Sequence, residues 1–135
     1  MDELLPEIRH VDELCRLLEE HKGGRVSALD LRELHCWTDF FIIATVSSGT
    51  HLQGLLRRLK EYAAEQGLLV FQGWRKRDDS GGWSLVDMGT AVIHLMSAQS
   101  REFYELEELW AGAKKVYPPE PPEPLSGPPY SSKSS

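Results

Sequence analysis

The sequence predicts an α/β domain of three layers, in which a mixed five-stranded sheet is flanked by helices in the order α-β-β-α-β-β-β-α. Three observations predict it. Two segments carry apolar residues at helical spacing, and one run of strand length is apolar on both alternating faces. Two further strand-like runs are joined by a two-residue connection that begins with glycine.

Ile8, Val11, Leu14, Cys15, Leu17 and Leu18 recur every three to four residues and define a first amphipathic helix. His21-Lys22-Gly23-Gly24 ends it, with glycine available for a left-handed cap. Val26 to Leu31 then reads as a strand. Asp39 to Val46 is apolar on both faces, which suits a central strand covered by helices on each side.

Ser47-Ser48-Gly49-Thr50 leads into a second helix over about 50–66. Leu52, Leu55, Leu56, Leu59 and Ala63 form its buried stripe, and Gly67 stops it. Leu68 to Phe71 reads as a short strand and Arg75 to Gly81 as a polar loop. Trp83 to Met88 and Ala91 to Met96 are the arms of a hairpin turning at Gly89-Thr90. A last helix is expected from about Ser100 to Ala113, with Phe103, Leu106, Leu109, Trp110 and Ala113 packed on the sheet.

These elements make one domain, residues 1–116, with a tail at 117–135. With 135 residues, 41% of them hydrophobic, the chain supports one ordinary core. Seven of the eight prolines fall between Pro118 and Ser135, beside serines and almost no aliphatic residues. Such a segment cannot bury enough surface to offset its ordering entropy, so a disordered Pro/Ser-rich tail is expected.

Charge narrows the partners. The net charge is −6, from 21 acids against 15 lysines and arginines. Binding to nucleic-acid phosphates needs a basic surface, whereas an acidic domain suits a basic protein. Little or no direct nucleic-acid binding is therefore expected. No run approaches the ~20 apolar residues needed to cross a bilayer. Met1-Asp2-Glu3 lacks the basic start of a signal peptide. Cys15 and Cys36 read as reduced thiols, and a cytoplasmic location without a membrane partner is expected.

The hairpin register sorts its residues into two faces. Ser84, Val86, Met88, Ala91, Ile93 and Leu95 form one that is nearly pure core. Trp83, Leu85, Asp87, Val92, His94 and Met96 form the other. A dry core would avoid this mixture of an aromatic with an acid and a histidine. Two readings stay open: a half-exposed face with a diagonal Asp87–His94 contact, or a partner-binding face anchored by Trp83. On the last helix Tyr104 points away from the apolar stripe, among Glu105, Glu107 and Glu108, as a tolerated surface residue or as part of an interface.

Catalysis finds little support. Asp30, Asp39 and Asp87 lie near strand ends, but none forms the Asp-x-Asp pair of a two-metal site. Ser47 to His51 lacks the spacing of a phosphate-binding loop and reads as a helix cap. His10, His21 and His35 show no ligand spacing. No catalytic residue, metal or cofactor is assigned.

Several segments together resemble the ribosomal silencing factor (RsfS/Iojap) family. They are Val26 to Arg32, Trp37 to Thr45, Ser47-Ser48 followed by His51, and Gly82 to Gly89 running on through Val92 to Met96 and Arg101 to Trp110. The resemblance covers roughly residues 6 to 113 and leaves out the Pro-rich tail. It implies a factor that binds the large ribosomal subunit through large-subunit protein fourteen and sterically blocks subunit association, repressing translation without a cofactor. The partner-binding residues are then expected to be Trp83, Leu85, Asp87, Gly89, Tyr104 and Glu107. Two positions depart from the family pattern: Thr90 stands where an acid is usual, and Thr50 where an arginine precedes the histidine. The alternative is a nucleotidyltransferase-like enzyme acting on nucleotides, which sheet architecture alone would not establish. The state is expected to be a monomer or a homodimer.

Overall fold

The computed structural model describes residues 6–34, 38–76, 82–89 and 91–118. Their order is α1 (Pro6–Glu20), β1 (Gly24–Asp30), a 3-10 turn (Arg32–Leu34), β2 (Phe40–Val46), α2 (Gly49–Gln66), β3 (Phe71–Lys76), β4 (Trp83–Asp87), β5 (Ala91–Ser97), α3 (Ala98–Tyr104), α4 (Leu106–Leu109) and β6 (Lys114–Tyr117). His35, Cys36, Trp37, residues 77–81, Thr90 and the tail from residue 119 lie outside the described residues.

The five predicted strands are all present and lie in one mixed sheet. A sixth, β6, extends it to the order β3-β4-β5-β2-β1-β6. β2 and β5 pair in parallel at the centre, and the other described pairs are antiparallel. Parallel strands buried on both faces require apolar side chains on both. Phe40 to Ala44 meet that requirement, all at 4% exposure or less. Ile42 points to the layer of α1 and α2, and Ile43 to the layer of α3 and α4. Each such side chain contributes about 1.5–3 kcal/mol by leaving water.

Helix α2 is bounded as its sequence dictates. Ser48 Oγ accepts from the His51 N–H at 3.0 Å, and Gly67 takes a left-handed φ of 71°. The Leu68 N–H then donates to Ala63 O at 2.8 Å. That bond holds Leu68 to the end of the helix, so the strand expected at Leu68–Phe71 starts only at Phe71 and runs on through Arg75 and Lys76. At the end of α1, Lys22, not a glycine, takes the positive φ of 72°. Gly23 is needed for close approach instead, since a Cβ there would lie 2.8 Å from Leu18 O.

Two boundaries differ from the prediction. Tyr117, assigned by composition to the tail, closes β6 opposite Ala28. It is 7% exposed, and its hydroxyl donates to Glu19 at 2.6 Å. Its neighbours Lys114 and Lys115 are exposed, which left the strand without an apolar pattern. The single last helix is also broken. Glu105 adopts φ 48°, its N–H donates to Arg101 O at 2.9 Å to close α3, and α4 starts afresh.

Candidate functional site

β4 alternates as predicted: Ser84 and Val86 are buried, while Trp83, Leu85 and Asp87 are half-buried on the face toward α3 and α4. The register pairs Leu85 with His94, Asp87 with Val92 and Trp83 with Met96. Gly89, exposed at the tip, has φ 92°, the positive value that a tight hairpin requires at its first turn residue.

Trp83 is the centre of an aromatic stack. Its ring centroid lies 4.7 Å from that of Tyr104, and Tyr104 lies 4.8 Å from Phe103. Inward, Trp83 lies 6.0 Å from His94, which meets Phe41 edge-on at 4.5 Å, and Phe41 meets Trp110 at 5.7 Å. The row therefore runs from Phe103, 77% exposed, through buried His94 and Phe41 to half-buried Trp110 on the same face of the sheet.

The diagonal Asp87–His94 contact, one of the two readings left open by the sequence, gives way to two separate bonds. Indole Nε1–H of Trp83 donates to His94 Nδ1 at 3.2 Å, and Asp87 Oδ1 accepts the Gly89 N–H at 2.8 Å. Asp87 thus folds over its own turn, as short acidic side chains do. Because Nδ1 accepts, neutral His94 carries its proton on Nε2, which is buried without a hydrogen-bond partner. Burial pushes the His94 imidazole down from 6.5 to about 4.

The last helix presents the opposite residues to those expected. Tyr104 was expected outside the apolar stripe and Phe103 within it. Instead Tyr104 packs half-buried in the cluster with Trp83, while Phe103 stands out in solvent. The cause is the break at Glu105, which ends the 3.6-residue period that the prediction extended across it. Glu107, expected as an outward acid, turns inward. Its carboxylate pairs with Arg101 Nη2 at 2.7 Å and accepts Ser27 Oγ–H at 2.8 Å. Burial raises the Glu107 carboxyl, but the hydrogen bonds from Arg101 and Ser27, with the charge of Arg101, outweigh it and hold it below the usual range.

The structure thus brings Trp83, Leu85, Asp87 and Tyr104 to one face, with Gly89 at its rim and Glu107 beneath its helical side. Sequence reasoning missed Phe103 and also Phe71, which is 62% exposed and paired opposite Asp87, hence on the same face. Extending the hairpin register one strand outward would have found Phe71. It also missed Arg101, 3% exposed, which binds Glu107, Ser27, Thr45 and the carbonyl of Gly24. No local pattern marks that residue.

Among the described residues, no group of three or more His, Cys, Asp and Glu could hold a metal ion, and no helix is long and apolar enough to cross a membrane. Asp30, weighed as an acid near a strand end, is bound by Arg32 at 2.8 Å.

Comparison with known proteins adds an independent line. The family profile described as "Ribosomal silencing factor during starvation" matches residues 5–134, a span that takes in the Pro/Ser-rich segment set outside the resemblance above. A ribosomal silencing factor of Halalkalibacterium halodurans is 31% identical over 101 residues, covering 73% of this chain and 83% of that protein. The mouse "Mitochondrial assembly of ribosomal large subunit protein 1" is 32% identical over 104 residues, 74% of this chain and 44% of its own length. A crystal structure of a Chromobacterium violaceum protein superposes with a TM-score of 0.64 at 27% identity, covering 89% of this chain and 93% of that one.

Proposed function

The chain belongs to the ribosomal silencing factor family, and from that premise we propose that it is a translational brake. It docks on the large ribosomal subunit through large-subunit protein fourteen and obstructs the small subunit by occupying that surface. The names of its relatives support a role at the ribosome, and the mouse relative's name supports the large subunit.

The observation that carries the reading is the stack Phe103–Tyr104–Trp83, open at one end and fixed at the other. Interfaces draw most of their energy from a few large aromatics held rigidly before the partner arrives. Trp83 is held in this way by the bond to His94, so little side-chain entropy remains to be lost on docking. Leu85 and Phe71 extend the apolar area, Gly89 admits close approach of a partner, and Asp87 adds an acid at the edge. Glu102, Glu105 and Glu108 are exposed on α3 and α4 and complement a basic partner. Glu107 supports the surface from behind.

Steric competition needs no bond-making step and no cofactor, only an interface of about 1,200–2,000 Å² with a few strong anchors. The test is sedimentation. The purified protein is expected to travel with isolated large subunits and to reduce their joining to small subunits in proportion to occupancy. Undiminished joining at a saturating concentration would overturn the proposal.

A further inference from the structure

We propose that His94 is the positioning residue of the aromatic face: its bare Nδ1 holds the Trp83 indole N–H inward, so that Trp83 meets a partner with carbon alone. The consequence for docking rests on the proposed function, whereas the contact between the two side chains does not.

His94 is out of keeping with its surroundings. β5 is buried from Ala91 to Ser97, and the buried side chains that share the face of α3 and α4 are Leu29, Leu31, Phe41, Ile43, Val92, Met96 and Leu106. A leucine would suit such a site. The imidazole instead leaves Nε2 buried with no hydrogen-bond partner, which is unfavourable for a polar group shut away from water. Among the described residues, its side chain makes one hydrogen bond, the one that Nδ1 accepts from Trp83 Nε1–H at 3.2 Å. The polar ring therefore serves Trp83 at a cost to the core.

That bond decides what Trp83 shows to a partner. A tryptophan at an interface ordinarily offers an apolar body and a polar N–H. Here the Tyr104 ring lies 4.7 Å away, tilted by 52°, and His94 takes up the N–H from the sheet. The ring contact limits how far the indole can tilt, and the hydrogen bond fixes which edge points inward. What stays half-exposed is carbon. A partner then requires no acceptor opposite Trp83. It requires apolar surface, such as the aliphatic stem of a lysine or arginine drawn in by Glu102, Glu105 and Glu108.

The contact exists in one protonation state only. Protonated imidazole carries N–H on both nitrogens, so Nδ1–H would stand against the indole N–H and the bond would be lost. The titratable side chains on the elements around His94 are engaged elsewhere or neutral. Asp87 on β4 accepts the Gly89 N–H, Glu107 on α4 pairs with Arg101 of α3, and α3 adds the phenol of Tyr104. β2 contributes Phe41 and Ile43. Burial, with no charge assisting, pushes the imidazole down, and acid releases the indole once it is overcome.

The experiment follows the indole Nε1–H resonance of Trp83 in the full chain, identified by its loss in Trp83→Phe, beside affinity for isolated large subunits at neutral pH. His94→Leu removes the acceptor and keeps an apolar side chain. His94→Asn returns an acceptor, Oδ1, to the place of Nδ1. In the unaltered protein the resonance is expected to move with the imidazole, about a midpoint near 4. In His94→Leu it should shift and stop responding to pH, with the thermal midpoint unchanged or higher, while docking weakens about fivefold. His94→Asn should bring the resonance back toward its original position without a pH response and restore most of the docking. A purely structural role predicts the reverse for His94→Leu: firmer folding and undiminished docking. An unshifted resonance in His94→Leu overturns the proposal, and so does full-strength docking by that variant. If the unaltered protein fails to travel with large subunits, the docking reading falls, and the resonance in His94→Leu still decides whether His94 fixes Trp83.

Discussion

Arg101 Nη2 lies 2.7 Å from Glu107 Oε2 across the left-handed Glu105, so an ion pair joins the two short helices that a continuous helix would have kept apart. In an unbroken helix, residues six positions apart stand about 240° apart around the axis and cannot meet. Ser27 and Thr45 complete the shell of Arg101, fastening the helical layer to β1 and β2. This fastening sets where Tyr104 and Phe103 point.

Removing one member of this pair leaves the other buried and uncompensated. Arg101→Met is expected to destabilise the fold by about 3 kcal/mol. Glu107→Gln should cost less, about 2 kcal/mol, because the glutamine amide oxygen can still accept from Arg101 and Ser27. Chemical denaturation at neutral pH measures both. Losses under 0.5 kcal/mol would show that the pair does not hold the helices.

One carboxyl and one imidazole give stability a pH dependence in adjoining windows. The Glu107 carboxyl is held below its ordinary 4.5, so its contribution is present above that pH and is lost as pH falls through the folded value. His94 is pushed down from 6.5 to about 4, so the unfolded chain takes up its proton first and stability declines as pH falls from 6.5 toward 4. That depression is worth roughly 3 kcal/mol. His94→Phe should flatten the decline between those limits and Glu107→Gln the decline below them. A His94 imidazole resonance titrating near 6.5 would refute the first half.

Phe103 separates docking from folding. Its side chain is 77% exposed, so Phe103→Ala is expected to change stability by no more than about 0.5 kcal/mol. If Phe103 seats against the ribosome, the same change should weaken co-sedimentation with large subunits severalfold. Trp83→Ala should cost about 2 kcal/mol or more of docking energy. Because the ring is half-buried, circular dichroism must accompany that measurement.

The two glycines Gly89 and Gly54 predict opposite outcomes for one substitution. Gly89→Ala meets no atom, but its φ of 92° is strained for any side chain, so a loss of about 1–2 kcal/mol is expected. Gly54→Ala lies in a helix with open space around it and should stabilise by up to about 1 kcal/mol. Thermal melts of the two variants should move in opposite directions.

The central strand, both long helices, the hairpin and its two faces were legible in the chain because each is encoded by a local period: two residues in β4 and β5, 3.6 in α1 and α2. The positions of Trp83, Leu85 and Asp87 followed from the turn at Gly89 alone. What the chain could not announce was any feature made by residues distant in sequence. The inward turn of Glu107 depends on Arg101 meeting Ser27 and Thr45 from other strands. The burial of Tyr117 depends on Ala28 and Glu19, and the exchange of Phe103 for Tyr104 follows from the helix break. Periodicity extends only as far as a regular backbone does, and the buried ion pair that accompanies the break at Glu105 forms only when the tertiary fold brings its partners together.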